Sequence, residues 1–115
     1  MPSPVRPRRS VLYMPGSNAR ALDKGRRVPA DGLILDLEDA VAPEAKETAR
    51  GQIRAALKAG GYGRREIVVR VNGLATPWGR DDLAQAATFG ADAILLAKVE
   101  HADAVRQALT ILNAH

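Results

Sequence analysis

Four short apolar runs punctuate the chain, beginning near residues 11, 32, 66 and 93. They are Val11-Leu12-Tyr13-Met14, Gly32-Leu33-Ile34-Leu35-Asp36, Glu66-Ile67-Val68-Val69-Arg70-Val71 and Ala93-Ile94-Leu95-Leu96-Ala97. Each has the length of a strand and is apolar on both faces over most of its span, as strands of a covered parallel sheet are. Between them the period becomes helical. Asn18 is placed to cap a helix to about Val28, which Gly25 weakens by roughly 1 kcal/mol relative to Ala. Pro43 suits a helix first turn, with Glu44 and Glu47 near the positive end of the dipole. That second helix runs to about Ala59, stops at Gly60-Gly61 and buries Ile53, Ala56 and Leu57. A third runs from about Asp81 to Gly90, a good residue to end it. The fourth spans His101 to about Asn113, with Val105, Leu109 and Leu112 on one side. The pattern predicts an α/β fold with a parallel sheet, either a small doubly wound sheet or the first half of a (β/α)8 barrel.

Alternation along each run places the polar groups. In the second run Ile34, Asp36 and Glu38 share one face, against Leu33, Leu35 and Leu37. In the third, Val68, Arg70 and Asn72 oppose Ile67, Val69 and Val71. In the fourth, Ile94, Leu96, Lys98 and Glu100 are expected to oppose Leu95, Ala97 and Val99. One face of each run thus turns polar only at its C-terminal end, where parallel α/β proteins carry their sites. Ordinary strand ends meeting solvent would look similar. Arg70 and Asn72 stand apart, because their companion Val68 implies an inward face. A buried guanidinium needs a partner, and an anionic ligand, Asp36 or Glu38 would serve. Asp36, Glu38 and Asp39 also gather three carboxylates at one strand end. That suits a hard cation such as Mg²⁺, or equally a helix cap and solvent.

Composition narrows the functional classes. The formal charge is +4, but Arg6, Arg8, Arg9, Arg26, Arg27, Arg64 and Arg65 are scattered, with no interleaved aromatics. They read as a solvated surface, so no nucleic-acid partner is expected. The chain has no cysteine, which excludes disulfides, zinc–thiolate sites and thiol chemistry and fits a cytoplasmic protein. No apolar run reaches the ~18 residues of a membrane span. Residues 1–8, with three prolines, are expected to form a flexible leader before a domain over 9–115. Pro15-Gly16-Ser17-Asn18 is a tight turn opening a helix, with Arg20 and Lys24 nearby. Its N–H groups suit a phosphate, although the Gly-Lys-Ser/Thr signature of a P-loop is missing and a plain β–α turn fits as well.

Taken together, these segments resemble the HpcH/HpaI aldolase/citrate lyase family, in particular its citrate lyase β-subunit and malyl-CoA lyase branch. Arg9-Ser10-Val11-Leu12-Tyr13-Met14-Pro15-Gly16-Ser17-Asn18 looks like the family opening, an arginine-serine strand followed by a Pro-Gly turn. Asp31 to Pro43, with Lys46 just inside the next helix, is close to the strand-two hallmark. Val69-Arg70-Val71-Asn72 matches the strand-three arginine motif, and Leu95-Leu96-Ala97-Lys98-Val99-Glu100 resembles the strand-four motif, with Ala97 in place of a proline. The resemblance implies the N-terminal (βα)4 half of a TIM (β/α)8 barrel, a fold of typically ~250 residues.

It also implies a Mg²⁺-dependent carbon–carbon lyase acting on malyl-, citramalyl- or citryl-type thioesters, carried on coenzyme A or an acyl carrier protein, and a homo-oligomer. In that frame Arg70 and Asn72 bind substrate, and Asp36, Glu38 and Asp39 lie near the metal, reaching it through water. Lys98 and Glu100 support the strand end, while Ser17, Arg20 and Lys24 meet the CoA phosphates. The direct metal carboxylates belong to strands five and six, beyond residue 115, so no direct metal ligand is expected within the chain. The rival from another class is a non-catalytic α/β module that binds an anionic metabolite or is completed by a second chain. In the half barrel, four parallel strands should run in sequential order with helices on one side and Asp36, Arg70 and Lys98 at one end. Ile34, Val68, Ile94 and Leu96 should face inward.

Overall fold

A computed structural model describes residues 10–97 and 102–114. The expected leader over 1–8, and Lys98 and Glu100, lie outside the described residues. The order is β1 (Val11–Pro15), α1 (Ala19–Lys24), β2 (Gly32–Asp36), α2 (Lys46–Ala59), β3 (Glu66–Val71), α3 (Gly79–Ala86), β4 (Ala93–Leu96) and α4 (Ala102–Asn113). The strands form one parallel sheet in the order β1-β2-β3-β4, as the alternation of runs and helices predicts.

Strand alternation divides the sheet into two unlike faces. Leu33, Leu35 and Leu37 of the β2 segment and Val69 and Val71 of β3 are fully buried. They pack against Leu22 of α1, Ala49 and Ile53 of α2, Leu83 and Ala86 of α3, and Ala108 of α4. Each large side chain so removed from water contributes about 1.5–3 kcal/mol. On the other face, Ile34, Val68 and Arg70 are half-buried, and Tyr13 and Leu95 are exposed.

Three expectations need correction. The first helix ends at Lys24, not near Val28. Gly25 is its end, where a Cβ would lie 2.9 Å from Leu33 Cδ1, so the helix terminus sits hard against β2. Arg26 then leaves the helical path, donating to the carbonyls of Gly60 (2.6 Å) and Ala56 (2.9 Å) and stacking on Tyr62. Second, β4 has the opposite parity to that expected. Arg70 registers with Leu95 and Val71 with Leu96, and laterally paired residues share a face. Leu95 therefore joins Arg70, while Ile94 and Leu96 pack on the helical side. The run is apolar at every position, so nothing in it marks the inward side. The expected parity came from Lys98 and Glu100, which lie outside the described residues. Third, Val105 and Leu109 are exposed at 42% and 53%, and α4 presents Ala108, Ile111 and Leu112 to the core. α4 packs on α3, and Ala108 is the buried residue it contributes to the core.

Candidate active site

Register brings the polar strand ends together. Pro15 pairs with Asp36, and Asp36 with Arg70. The Arg70 guanidinium meets the Asp36 carboxylate side-on, with Nε donating to Oδ1 at 2.8 Å and Nη2 to Oδ2 at 2.9 Å. Two parallel charge-assisted bonds of this kind fix both distance and orientation. Glu38 Oε1 lies 3.7 Å from Nη2, and the Tyr13 ring lies beneath the guanidinium, 4.8 Å from Cζ to centroid.

Asp36 is fully buried, and its carboxylate also accepts from the backbone N–H groups of Glu38 and Ala40, each at 2.9 Å. Burial alone would push its carboxyl up. The hydrogen bonds from Arg70, Ala40 and Glu38, with the charge of Arg70, outweigh burial and hold it below the usual carboxylate range. The same pairing raises Arg70 above the ordinary guanidinium value, first through the Asp36 hydrogen bond. With four accepted bonds, Asp36 has no lone-pair site left for a metal. It holds Arg70 and the segment after β2. Two of the five donor hydrogens of Arg70 are engaged, and the others have no hydrogen-bond partner among the described residues. The arginine is thus both fixed and able to receive an anion.

A buried network lies beneath this pair. Asn72, the companion of Arg70 in the expected pair, is buried within this network. Its side-chain amide donates to Leu37 O (2.8 Å) and to Asp82 Oδ2, so both of its hydrogens are spent within the protein. Asp82, fully buried on α3, also accepts from Asn72 N (3.0 Å) and from Arg50 Nε of α2 (2.5 Å). Lys46, only 6% exposed, donates to Leu37 O at 2.9 Å and Glu38 O at 2.8 Å and lies over the Trp78 ring. The carbonyls at the end of β2 are held by Lys46 and Asn72, and the following N–H groups by Asp36.

Sequence reasoning did not assign Arg50 or Asp82 to the site, and saw Lys46 only as part of a motif. A signal was available: Lys46, Ala49, Arg50 and Ile53 form one helical stripe, so two cations sit on the face that also carries core residues. Tyr13 was missed too, although its parity with Ile34 across β1 and β2 places it on the Arg70 face.

At the first turn, Gly16 N donates to Asp36 O at 2.8 Å, and a Cβ on Gly16 would come within 2.7 Å of Ile53. Gln52, its amide turned to face the turn, donates to the carbonyls of Gly16 (2.9 Å) and Ser17 (3.1 Å). Asn18 Oδ1 accepts from Ala21 N at 3.0 Å, the expected cap. Ser17 is half-buried there, while Arg20 and Lys24 are exposed one turn apart on α1. Glu38 is buried and Asp39 exposed. Among the described residues no three His, Cys, Asp or Glu side chains gather to hold a metal. The Asp36 carboxylate is committed to Arg70 and the backbone, which leaves Glu38 and Asp39 as the other carboxylates of this strand end.

A fixed arginine at the C-terminal end of β3, paired with the carboxylate ending β2, is what the strand motifs led one to expect. The family model for HpcH/HpaI aldolase/citrate lyase matches residues 9–115. The chain belongs to this family. It is 53% identical over 100 residues to a (3S)-malyl-CoA thioesterase of Cereibacter sphaeroides, covering 87% of this chain and 35% of that protein. It is 43% identical over 101 residues to the citrate lyase subunit beta of Escherichia coli, covering 88% and 33%. A solved citrate lyase beta subunit from M. tuberculosis, complexed with oxaloacetate and magnesium, superposes with a TM-score of 0.68 at 30% identity, covering 87% of this chain and 44% of that one. The chain spans about a third of the length of the curated family members it matches. Its four parallel strands correspond to half of their barrel.

Proposed function

We propose that this chain is the arginine-bearing part of a carbon–carbon lyase acting on hydroxy-dicarboxylic acyl thioesters of the malyl, citramalyl or citryl type, carried on coenzyme A or an acyl carrier protein. One observation carries the reading: Arg70 is locked to Asp36 by two hydrogen bonds yet keeps donor hydrogens with no hydrogen-bond partner among the described residues. A planar guanidinium with its orientation set in advance suits the carboxylate of the acid fragment. Its fixed charge also steadies the negative charge that develops when the carbon–carbon bond breaks. Asn72, Lys46 and Asp82 act behind Arg70, keeping the ends of β2 and β3 in place.

Mg²⁺ belongs to this reading as the family's cofactor, with Glu38 and Asp39 as an acidic rim reaching it through water and its direct ligands beyond residue 115. Ser17, Arg20 and Lys24 are the proposed contacts of the CoA phosphates. The setting is the cytoplasm, in keeping with a cysteine-free chain, and the assembly is a homo-oligomer. Among the described residues no helix is long and apolar enough to cross a membrane.

Binding of oxaloacetate to the Arg70 guanidinium, followed by NMR on the Arg70 side-chain N–H groups, tests the reading. The purified chain should show saturable shifts, and Arg70→Lys should weaken binding by about tenfold or more, because an ammonium does not reproduce a planar fork. Equal affinity in the lysine variant overturns the assignment.

The relative named as a thioesterase, at 53% identity, favours a second reading in which the same anchored acid is hydrolysed from its carrier. The products separate the two. Glyoxylate and acetyl-CoA from malyl-CoA mean carbon–carbon cleavage, whereas malate and a free CoA thiol mean hydrolysis. The 115-residue chain alone is expected to give neither above background, because in this reading the direct Mg²⁺ ligands lie beyond residue 115.

A further inference from the structure

Arg70 is fixed along one edge by Asp36, but an edge contact leaves both faces of the guanidinium open. The residue that presents a ring to the guanidinium is Tyr13. It lies on β1, in register with Ile34, which is in register with Val68. Parallel pairing therefore puts Tyr13 on the same sheet face as Arg70. Its side chain is 53% exposed, so it adds little to the core. Its hydroxyl makes no hydrogen bond among the described residues, and its one recorded partner is the guanidinium, 4.8 Å from centroid to Cζ. That lies within the range where the ring quadrupole attracts a cation.

We propose that Tyr13 is a positioning residue for Arg70: its ring sets the plane of the guanidinium and closes one face of it, so that a carboxylate arrives in that plane at the Nη1 edge. The inference rests on the carboxylate-binding reading of Arg70 and adds what orients the arginine. Asp36 occupies the Nε and Nη2 edge, and Glu38 flanks Nη2 at 3.7 Å. The ring lies 4.8 Å from Cζ. Nη1 is what these neighbours leave, and a carboxylate bound there lies roughly coplanar with the arginine, as bidentate or end-on recognition requires. The aromatic face does the work and the phenol hydroxyl does not, so phenylalanine should substitute and leucine should not.

The test compares the wild-type chain with Tyr13→Phe, Tyr13→Leu and Arg70→Lys. The first measurement is the Arg70 Nε–Hε resonance without ligand. A ring beneath the guanidinium displaces this signal by its ring current, so the displacement should persist in Tyr13→Phe and vanish in Tyr13→Leu. The second is oxaloacetate affinity. Tyr13→Leu should bind about two- to fivefold more weakly, the size of one cation–π contact at a partly exposed site, and Tyr13→Phe should stay within about twofold of wild type. Thermal midpoints should coincide across the Tyr13 variants, since the side chain is mostly exposed, which separates positioning from a fold effect. An unchanged resonance and affinity in Tyr13→Leu overturns the proposal. So does a phenylalanine variant as weak as the leucine one, because the hydroxyl would then be the active group. If Arg70→Lys binds oxaloacetate as the wild type does, the carboxylate reading falls, and the ligand-free resonance still decides whether Tyr13 orients Arg70.

Discussion

The inner strands β2 and β3 and the outer strands β1 and β4 begin as similar apolar runs and end in different states. Leu33, Leu35, Val69 and Val71 of the inner pair are fully buried, whereas Val11, Leu12, Tyr13 and Leu95 of the outer pair are 40–53% exposed. Part of the contrast is the face: Val11, Tyr13 and Leu95 share the open face with Ile34 and Arg70. The rest is the edge: on the helical face Leu33 is fully buried while its β1 neighbour Leu12 is 42% exposed. The polar groups divide in the same way. Asp36, Asn72 and Asp82 at the ends of β2, β3 and α3 are buried, with partners on a neighbouring element. Such a network is costly if half satisfied and rigid if complete, and rigidity is what an anion-binding arginine requires. The paired centre of the sheet therefore carries the preorganised chemistry, and its edges carry the unsatisfied apolar surface.

The largest effect should come from breaking the inner network. Asp82→Ala removes the carboxylate that meets Arg50 Nε at 2.5 Å, where the two side chains are 0% and 10% exposed. An uncompensated buried cation costs about 3–5 kcal/mol, so urea denaturation should show a loss of that order, with oxaloacetate binding weakened as Asn72 loses its partner. A loss below about 1 kcal/mol would mean that solvent reaches Arg50 and the network is looser than the distances imply. Leu35→Ala, at a fully buried position, should cost about 2–5 kcal/mol. Leu12→Ala on the outer strand should cost much less, because Leu12 is 42% exposed.

The parts of this contrast that the sequence revealed depend on periodicity. The four strands and their order follow from apolar runs alternating with helical segments. The juxtaposition of Asp36 and Arg70 follows from the alternation within β2 and β3, where one face is apolar and the other turns polar. Where both faces are apolar, as in β4, alternation carries no information, and Ile94 and Leu96 were assigned to the wrong side. In α4 the apolar residues exceed one stripe, and the helix packs on α3 with Ala108 buried and Val105 and Leu109 exposed. The buried network was hidden for another reason. Lys46 and Arg50 look like ordinary helix-surface cations until the fold brings up their partners, and Arg50 finds Asp82 at a separation of 32 residues.

Acid should weaken the inner region specifically. The carboxyl of Asp36 has a lower pKa in the fold than its ordinary value of 3.8. A depressed pKa means that its stabilisation is fully present above the unfolded-state value and is lost as pH falls through the folded one. Urea midpoints should therefore hold steady in this contribution down to about pH 4 and fall below it. Asp36→Asn should start lower and show a flatter acid limb. Parallel acid limbs in the two proteins would assign the loss to other carboxylates.

The smallest change in stability, and the sharpest test of the outer region, should come from polar substitutions at the edges. Val11, Leu12, Tyr13 and Leu95 on the outer strands and Val105 and Leu109 on α4 are the exposed large hydrophobics among the described residues, and all lie on β1, β4 or α4. Strands at the edge of a sheet also offer unpaired backbone groups to any chain that can add a strand. The two features fall at the same two ends of the sheet, so copies of the 115-residue chain should associate through them. The double variant Val105→Lys with Leu109→Lys removes apolar surface without entering the core, and substitutions of this kind usually shift stability by no more than about 0.5 kcal/mol. Leu12→Lys places a charge on the edge strand, a device that discourages strand addition. Light scattering across a concentration series should show the wild-type chain growing in mass, the helix variant growing less and the combined variant staying monomeric, with thermal midpoints nearly unchanged. A wild-type chain that remains monomeric at every concentration would show that these edges are covered within one copy, and the division between a closed centre and open edges would then fail.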